Sequence, residues 1–107
     1  MVVGATSQLS YIEVTNAQHF DSFNAFSGFD TRFVPLHTYF VHAMNAMYAN
    51  LKSGTALPPS QVVRTTVRGG TPGAAPAISA ANVPGLSASP AAADRIGFSG
   101  TSVNVPN

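Results

Sequence analysis

The strongest constraint on the fold is the segment of residues 33–53, which has the pattern of one long helix. Pro35 suits a first helical turn, and Gly54 suits the position just past a helix end. Apolar residues recur three and four apart on one side: Leu36, Phe40, Met44, Met47 and Leu51. Further apolar residues widen this side: Tyr39, Val41, Ala43 and Tyr48. We therefore expect a helix that starts near Phe33, runs to Ser53 and needs cover on more than one side.

Few charged side chains are available to keep such a chain soluble by itself. The 107 residues are 45% hydrophobic and 8% charged, whereas soluble domains carry about 25% charged residues. The five basic and four acidic residues are scattered singly, so no basic stripe exists to hold a phosphate backbone. We expect at most one small domain that relies on further protein, and no nucleic-acid partner.

Several classes of protein are excluded by what the sequence lacks. The absence of cysteine rules out disulfides, thiolate nucleophiles and cysteine-ligated metals. No apolar run approaches the roughly 20 residues of a membrane helix, so no membrane partner is expected. Met1 to Gly4 are followed by polar residues, which is not the pattern of a signal peptide. If the protein is exported, we expect the signal outside this chain.

Two segments have strand character and lie on either side of the predicted helix. Residues 9–14 alternate apolar and polar side chains, and residues 62–68 are rich in valine and threonine before stopping at Gly69. Between the first strand and the helix, residues 19–28 carry phenylalanines spaced three apart. We predict a short helical stretch there, capped by Asp21 or Asn16, with the phenylalanines packed inward.

The remainder of the chain is poor in regular structure. Residues 71–93 are almost entirely Ala, Pro, Gly and Ser, a composition that disfavours helices and strands. Isolated aliphatic residues such as Ile78, Val83 and Leu86 suggest an extended arm pinned at intervals, and residues 96–105 suggest one short strand. We accordingly divide the chain into residues 1–70, a compact part, and residues 71–107, an Ala/Pro/Gly-rich arm packed on its surface.

His19 is the candidate catalytic residue. It follows the predicted strand after a short polar turn, where an α/β-hydrolase presents its histidine, on a loop at the carboxyl edge of the sheet. In such a site the imidazole takes the serine proton as general base and returns it to the leaving alcohol. A surface-loop histidine without a role is the alternative.

The other histidines do not suggest a metal site. His37 and His42 lie five residues apart on the predicted helix, which separates them by about 140° around its axis, so they cannot share a metal as an i, i+4 pair does. A zinc site that combines His19 with one of them lacks ligand spacing. We predict no metal and assign both helix histidines a structural role.

Two arginines form a further candidate feature. Arg64 and Arg68 lie on one face of the predicted strand and can either grip a carboxylate ligand or pair with Glu13 or Asp94. Both alternatives stay open from the sequence.

No complete catalytic constellation is present. No serine lies in G-x-S-x-G, and the partial match at residues 97–100 is too close to the end of the chain for a strand-turn-helix elbow. Residues 69–73 lack the lysine of a phosphate-binding loop. In α/β-hydrolases the triad follows the order serine, acid, histidine. A C-terminal segment would therefore contain the histidine alone, as this chain does.

Four stretches of the chain resemble the C-terminal end of D-3-hydroxybutyrate oligomer hydrolases. They are residues 11–21, 48–52, 57–66 and 68–76. The resemblance implies an α/β protein that forms the C-terminal segment of an α/β-hydrolase fold, with the last sheet strand, the histidine loop, a long helix and the arm. It also implies a secreted or periplasmic serine esterase, without a cofactor, that cleaves 3-hydroxybutyrate oligomers to monomers in polyhydroxybutyrate degradation. His19 would be its catalytic histidine, with the serine and the acid upstream.

On this interpretation the partners are the ester substrate and the remainder of the hydrolase chain, without which we expect no activity. Apolar surface on the long helix and an unpaired strand edge at residues 9–14 should then be exposed. A non-enzymatic interaction or subunit module is the first alternative, and it predicts a self-contained fold. The second is an esterase of the wider tannase and feruloyl esterase kind, which would share the fold but act on another substrate.

Overall fold

A computed structural model describes residues 9–107. The strand β1 (Ile12–Val14) is followed by a short 3-10 helix (Asp21–Ala25), the helix α1 (His37–Ser53) and the strand β2 (Gln61–Val63). A second 3-10 helix (Ala92–Asp94) precedes the strands β3 (Gly97–Ser99) and β4 (Ser102–Asn104). β1 pairs with β2 in parallel, and α1 is part of the long connection that parallel neighbours require. β3 and β4 form an antiparallel hairpin, where one strand was predicted.

The helix α1 begins at His37, so the predicted start at Phe33 is wrong, while the predicted end at Ser53 is confirmed. The residues just before α1 are held in extended pairing: Val34 forms a bridge with Ala17 and its N–H donates to the carbonyl of Asn16 over 2.8 Å. At the other end Gly54 adopts a left-handed conformation with φ of 67°, which glycine tolerates without a steric penalty.

Both strands of the parallel pair are shorter than predicted. Of residues 9–14, three form β1, and of residues 62–68, Val62 and Val63 fall within β2. Both strands end early because the pairing between them stops. The chain turns at residues 15 and 16, so the backbone after β2 loses its neighbour and pairs elsewhere, Thr66 N–H donating to the carbonyl of Asn82 over 3.1 Å.

The core lies where β1, β2 and the start of α1 meet the last third of the chain. Its buried apolar residues are few and mostly β-branched: Val34, Tyr39, Val62, Val63 and Ile96. Burial raises the pKa of the Tyr39 phenol, whose hydroxyl donates to the carbonyl of Pro84 over 2.7 Å. β2 is buried along its whole length, with β1 on one side and an isolated bridge between Gln61 and Arg95 as well.

The arm of residues 71–107 covers β2. Gln61 and Ser87 exchange two hydrogen bonds of 2.9 Å through the glutamine side chain and the serine backbone, and Ile96 N–H donates to the carbonyl of Ser60 over 3.0 Å. The start of the arm is held by Asp30. Backbone N–H groups, that of Gly73 foremost, hold the pKa of its carboxyl below the usual value although partial burial opposes this. The arm thus completes the core as well as lying over it.

The phenylalanines before α1 do not pack inward as predicted. Phe20 and Phe26 are more than half exposed, at 55% and 58%. Successive rings contact one another instead, with centroids 5.6 Å apart for Phe20 and Phe23 and 5.8 Å apart for Phe23 and Phe26. Spacing by three along a 3-10 helix places side chains on the same side, so the rings form a row, with an edge-on contact between Phe20 and Phe23 and a stacked contact between Phe23 and Phe26.

Most of the predicted apolar side of α1 is left uncovered by the rest of the described chain. Tyr39 points into the core, whereas an apolar stripe of α1 is exposed: Phe40, Met44, Met47, Tyr48 and Leu51. β1 is an edge strand among the described residues, because its sheet contains only β2 besides it. Between residues 9 and 107 no helix is long and apolar enough to span a bilayer.

Gly70 provides a test of the arm's packing. Its φ is 84°, and a Cβ atom there would lie 2.9 Å from Cδ of Pro76. We expect Gly70→Ala to lower the free energy of unfolding by about 1–3 kcal/mol, because it combines a strained backbone with a steric clash. In thermal unfolding followed by circular dichroism, the control Gly85→Ala, with no atom within 4 Å of its Cβ position, should change stability by less than about 1 kcal/mol. Equal effects would contradict the described packing.

Candidate active site

His19 lies on the loop that follows β1, residues 15–20, at the carboxyl end of the parallel pair. We call this segment the histidine loop. Its side chain is exposed, and its ring meets the ring of Phe20 edge-on with centroids 4.3 Å apart. It lines a shallow depression of about 300 Å³ together with residues of β1, including Glu13, and with Leu36 from the segment before α1. The imidazole is therefore open to a substrate or to another part of a larger protein.

The loop is tied down before His19 by a side-chain network around Thr65. The amide of Asn16 donates to the Thr65 carbonyl over 3.1 Å, and Thr65 N–H donates to Oγ1 of Thr15 over 2.9 Å. The Thr65 hydroxyl also donates to the Thr15 carbonyl. Asn16 takes a left-handed conformation with φ of 55°, which asparagine tolerates better than most residues. The short polar turn after the first strand was predicted from the sequence, but the contact of Asn16 with Thr65, 49 residues away, was not detectable there.

The loop is tied down after His19 by Asp21. Its Oδ1 accepts from Leu36 N–H over 2.7 Å, and its Oδ2 accepts from His37 N–H over 2.8 Å. These are free donors at the start of α1, which has no cap from Leu36 and no acidic residue in its first turn. A carboxylate there also interacts favourably with the helix dipole.

The predicted cap of residues 19–28 is wrong. The 3-10 helix Asp21–Ala25 has Phe20 as its N-cap, without a side-chain hydrogen bond. Asp21 caps α1 instead, and Asn16 binds Thr65. Local sequence places an acidic residue near the first possible helix, but the chain reversal that brings Asp21 to α1 is a tertiary feature.

The helix histidines are not brought to His19. The His37 ring stacks on Phe40 at 6.0 Å, and the His42 ring meets Tyr39 edge-on at 5.9 Å. Neither lines the depression that contains His19. In the described part of the chain, no three histidine or acidic side chains are grouped so that they could hold a metal ion.

The two arginines do not share a strand face, because β2 ends at Val63 before either of them; that prediction is wrong. Of the two acidic partners considered, Arg64 pairs with Asp94, with Nε 3.0 Å from Oδ1. Arg68 donates to the carbonyl of Pro76 over 3.3 Å. Both arginines thus hold the arm, and they are not brought together as a carboxylate-binding pair.

An apolar groove of about 260 Å³ lies between α1 and the start of β1. Its walls include Leu9, Ile12, Met44, Met47 and Leu57. Met44 and Met47 also belong to the exposed stripe of α1, so the groove and the stripe form one continuous apolar surface.

Comparison with known proteins identifies the family of this chain. Residues 1–107 match the family model described as 3HB-oligomer hydrolase (3HBOH). The chain belongs to the 3HB-oligomer hydrolase family. This confirms the resemblance seen in its sequence.

The curated relatives of this 3HB-oligomer hydrolase family member are much longer than the chain. It is 59% identical over 97% of its length to the D-(-)-3-hydroxybutyrate oligomer hydrolase of Paraburkholderia xenovorans, and 62% identical over 96% to that of Ralstonia nicotianae. It is 63% identical over 83% of its length to that of Burkholderia ambifaria. The chain spans 15%, 15% and 13% of these relatives. No solved structure matches it.

Thr65 provides a test of the network that holds the histidine loop. Thr65→Val keeps the side-chain shape but removes the hydroxyl that donates to the Thr15 carbonyl and accepts from the Asn16 amide over 3.2 Å, so we expect a loss of about 1–3 kcal/mol. Thr66→Val is the matched control, since Thr66 is exposed and its hydroxyl makes no hydrogen bond within residues 9–107. Denaturant unfolding of both variants measures the difference. If both lose the same stability, the network is not what holds the loop.

Proposed function

We propose that this chain is the C-terminal part of a secreted or periplasmic serine esterase that hydrolyses 3-hydroxybutyrate oligomers to monomers. In this proposal His19 is the catalytic histidine. The names of the relatives support the substrate. The observation that carries the assignment of His19 is its place: an exposed imidazole on the loop after β1, at the carboxyl end of two parallel strands and inside a depression.

The fold context supports the same assignment. β1, α1 and β2 form a parallel β-α-β arrangement, the building unit of sheets in which ligands bind beyond the carboxyl ends of the strands. We propose the α/β-hydrolase fold for the whole protein. There a histidine on a loop at this edge reaches a serine presented on another strand.

The chemistry is acyl transfer. His19 takes the proton of the serine hydroxyl as the serine oxygen attacks the ester carbonyl. It then gives that proton to the ester oxygen on C3 of the departing oligomer as the carbon–oxygen bond breaks, so that the oligomer leaves with a free 3-hydroxyl group. Water then attacks the acyl-enzyme while His19 accepts one of its protons. His19 returns this proton to the serine oxygen as the acyl bond breaks, which releases the acid and regenerates the serine. The serine and the acid of this triad come from the remainder of the hydrolase.

The same proposal names the remainder of the hydrolase as the partner of the uncovered surfaces. The exposed stripe of α1 and the groove beside it form one apolar surface, and large contiguous surfaces of this kind mark sites of contact with other protein. β1 offers an unpaired edge among the described residues, and such edges pair readily with another strand. The chain's share of about 15% of its relatives' length supports a large partner.

His19 is tested by one substitution made at two histidines of the full-length hydrolase. His19→Gln should lower kcat for a 3-hydroxybutyrate oligomer by on the order of 10³-fold or more, because the general base is lost. The matched control His42→Gln, on α1 and outside the depression, should leave kcat within a few-fold. Titration of the acid released by hydrolysis measures both rates, and circular dichroism checks that both variants are folded. Activity of His19→Gln near that of the parent enzyme would refute the assignment.

The proposed coverage of the exposed stripe of α1 by the rest of the hydrolase is tested by placing a charge on the stripe. Leu51 is 76% exposed in this chain, so Leu51→Glu should cost little if the stripe stays exposed, as for other surface substitutions. If the rest of the hydrolase covers it, the full-length variant should lose more than about 2 kcal/mol or fail to accumulate in soluble form. Asn45→Glu, exposed on the same helix but outside the stripe, is the control. Equal stability of both variants would contradict coverage.

A further inference from the structure

We propose that Asp21 is a positioning residue that holds His19 in its reactive place by binding the histidine loop to the start of α1. The inference rests on the proposed role of His19 and adds a second residue to it. It comes from the geometry of two ties on either side of the histidine.

The histidine loop and the segment before α1 run side by side and are joined at both ends. At the first end, Val34 N–H donates to the Asn16 carbonyl over 2.8 Å. At the second end, the two oxygens of Asp21 accept from the backbone of Leu36 and His37 over 2.7 and 2.8 Å. Only residues 17–20 lie between the ties, so the position of the imidazole depends on both of them.

His19 has little else to hold it. Within the described residues neither its backbone nor its side chain makes a hydrogen bond, and its ring contact is with the neighbouring Phe20. Leu36 meets Asp21 through its N–H and lines the depression together with His19. The Asp21 carboxylate therefore sets the distance between the histidine and one wall of the depression.

A carboxylate is required for this contact because each of its two oxygens accepts one N–H group. Asparagine offers a single acceptor and turns its NH₂ group towards the other donor, and alanine offers none. The two hydrogen bonds also carry the helix-capping role of Asp21, which stabilises α1 whatever His19 does. The experiment therefore has to separate the rate of reaction from the amount of folded enzyme.

The test uses Asp21→Asn and Asp21→Ala in the full-length hydrolase, with Asp94→Asn as the control. Asp94 pairs with Arg64 and does not line the depression. Two measurements are made at a temperature where circular dichroism shows the variants folded. The first is kcat and KM for a 3-hydroxybutyrate oligomer. The second is labelling of the serine by a fluorophosphonate, whose final extent counts the folded sites and whose rate reports the help given by the histidine.

A positioning role predicts that Asp21→Ala lowers kcat by about 10²-fold, as expected for a displacement of about 1 Å, with KM within about threefold. Asp21→Asn should lie between this value and the parent enzyme because one acceptor remains. Labelling should reach its full extent in both variants but more slowly, by a similar factor. Asp94→Asn should match the parent enzyme in kcat, in KM and in both the extent and the rate of labelling.

Two results would overturn the inference while leaving His19 as the base. One is a kcat of Asp21→Ala within about threefold of the parent. The other is a loss of activity that equals the loss of labelling extent, which would make Asp21 a helix cap alone. Full activity in His19→Gln, by contrast, would refute the proposed function itself.

Discussion

Three residues of β1 lie in parallel register with three of β2, from Ile12 beside Gln61 to Val14 beside Val63, and the rest of the described chain depends on this pairing. Because the strands run in the same direction, the chain must cross back between them, and α1 occupies that connection. The carboxyl end of β1 then becomes the edge where His19 emerges. The arm closes over β2, which leaves the other edge of β1 unpaired within residues 9–107.

Hydrogen bonds, more than apolar burial, hold the histidine loop in this arrangement. Apart from Pro90, five apolar residues are buried in the described chain, a small core for its length. Thr65 and Asp21 instead tie the loop through backbone groups that would otherwise lack partners at a turn and at a helix start. Such contacts are directional, so they fix the position of a side chain more closely than nonspecific apolar packing does.

The uncovered stripe of α1 has a direct energetic meaning. Burial stabilises apolar side chains by roughly 25 cal/mol per Å² removed from water, and here Phe40, Tyr48 and Leu51 keep more than half of their surface exposed. The stabilisation that these residues could provide is therefore unused within residues 9–107. A helix in this state is expected where a larger protein supplies the missing contacts.

The sequence by itself determined the elements that depend on local patterns. The period of apolar residues and Gly54 predicted α1 and its end, alternation predicted strands near β1 and β2, and composition predicted the irregular arm. The quoted stretches identified the family, because long identical runs carry information that no composition can imitate. His19 was singled out by its place after a strand.

Only the tertiary structure decided which residues meet. Three sets of contacts join residues at least 15 positions apart: the pairing of β1 with β2, the Thr65 network and the cap of α1 by Asp21. The shortening of the two strands follows from the same long-range pairing. The outward direction of the apolar stripe belongs here too, since periodicity shows that a helix has an apolar side without showing what that side faces. Local propensity acts over a few residues, whereas these contacts depend on how the chain reverses.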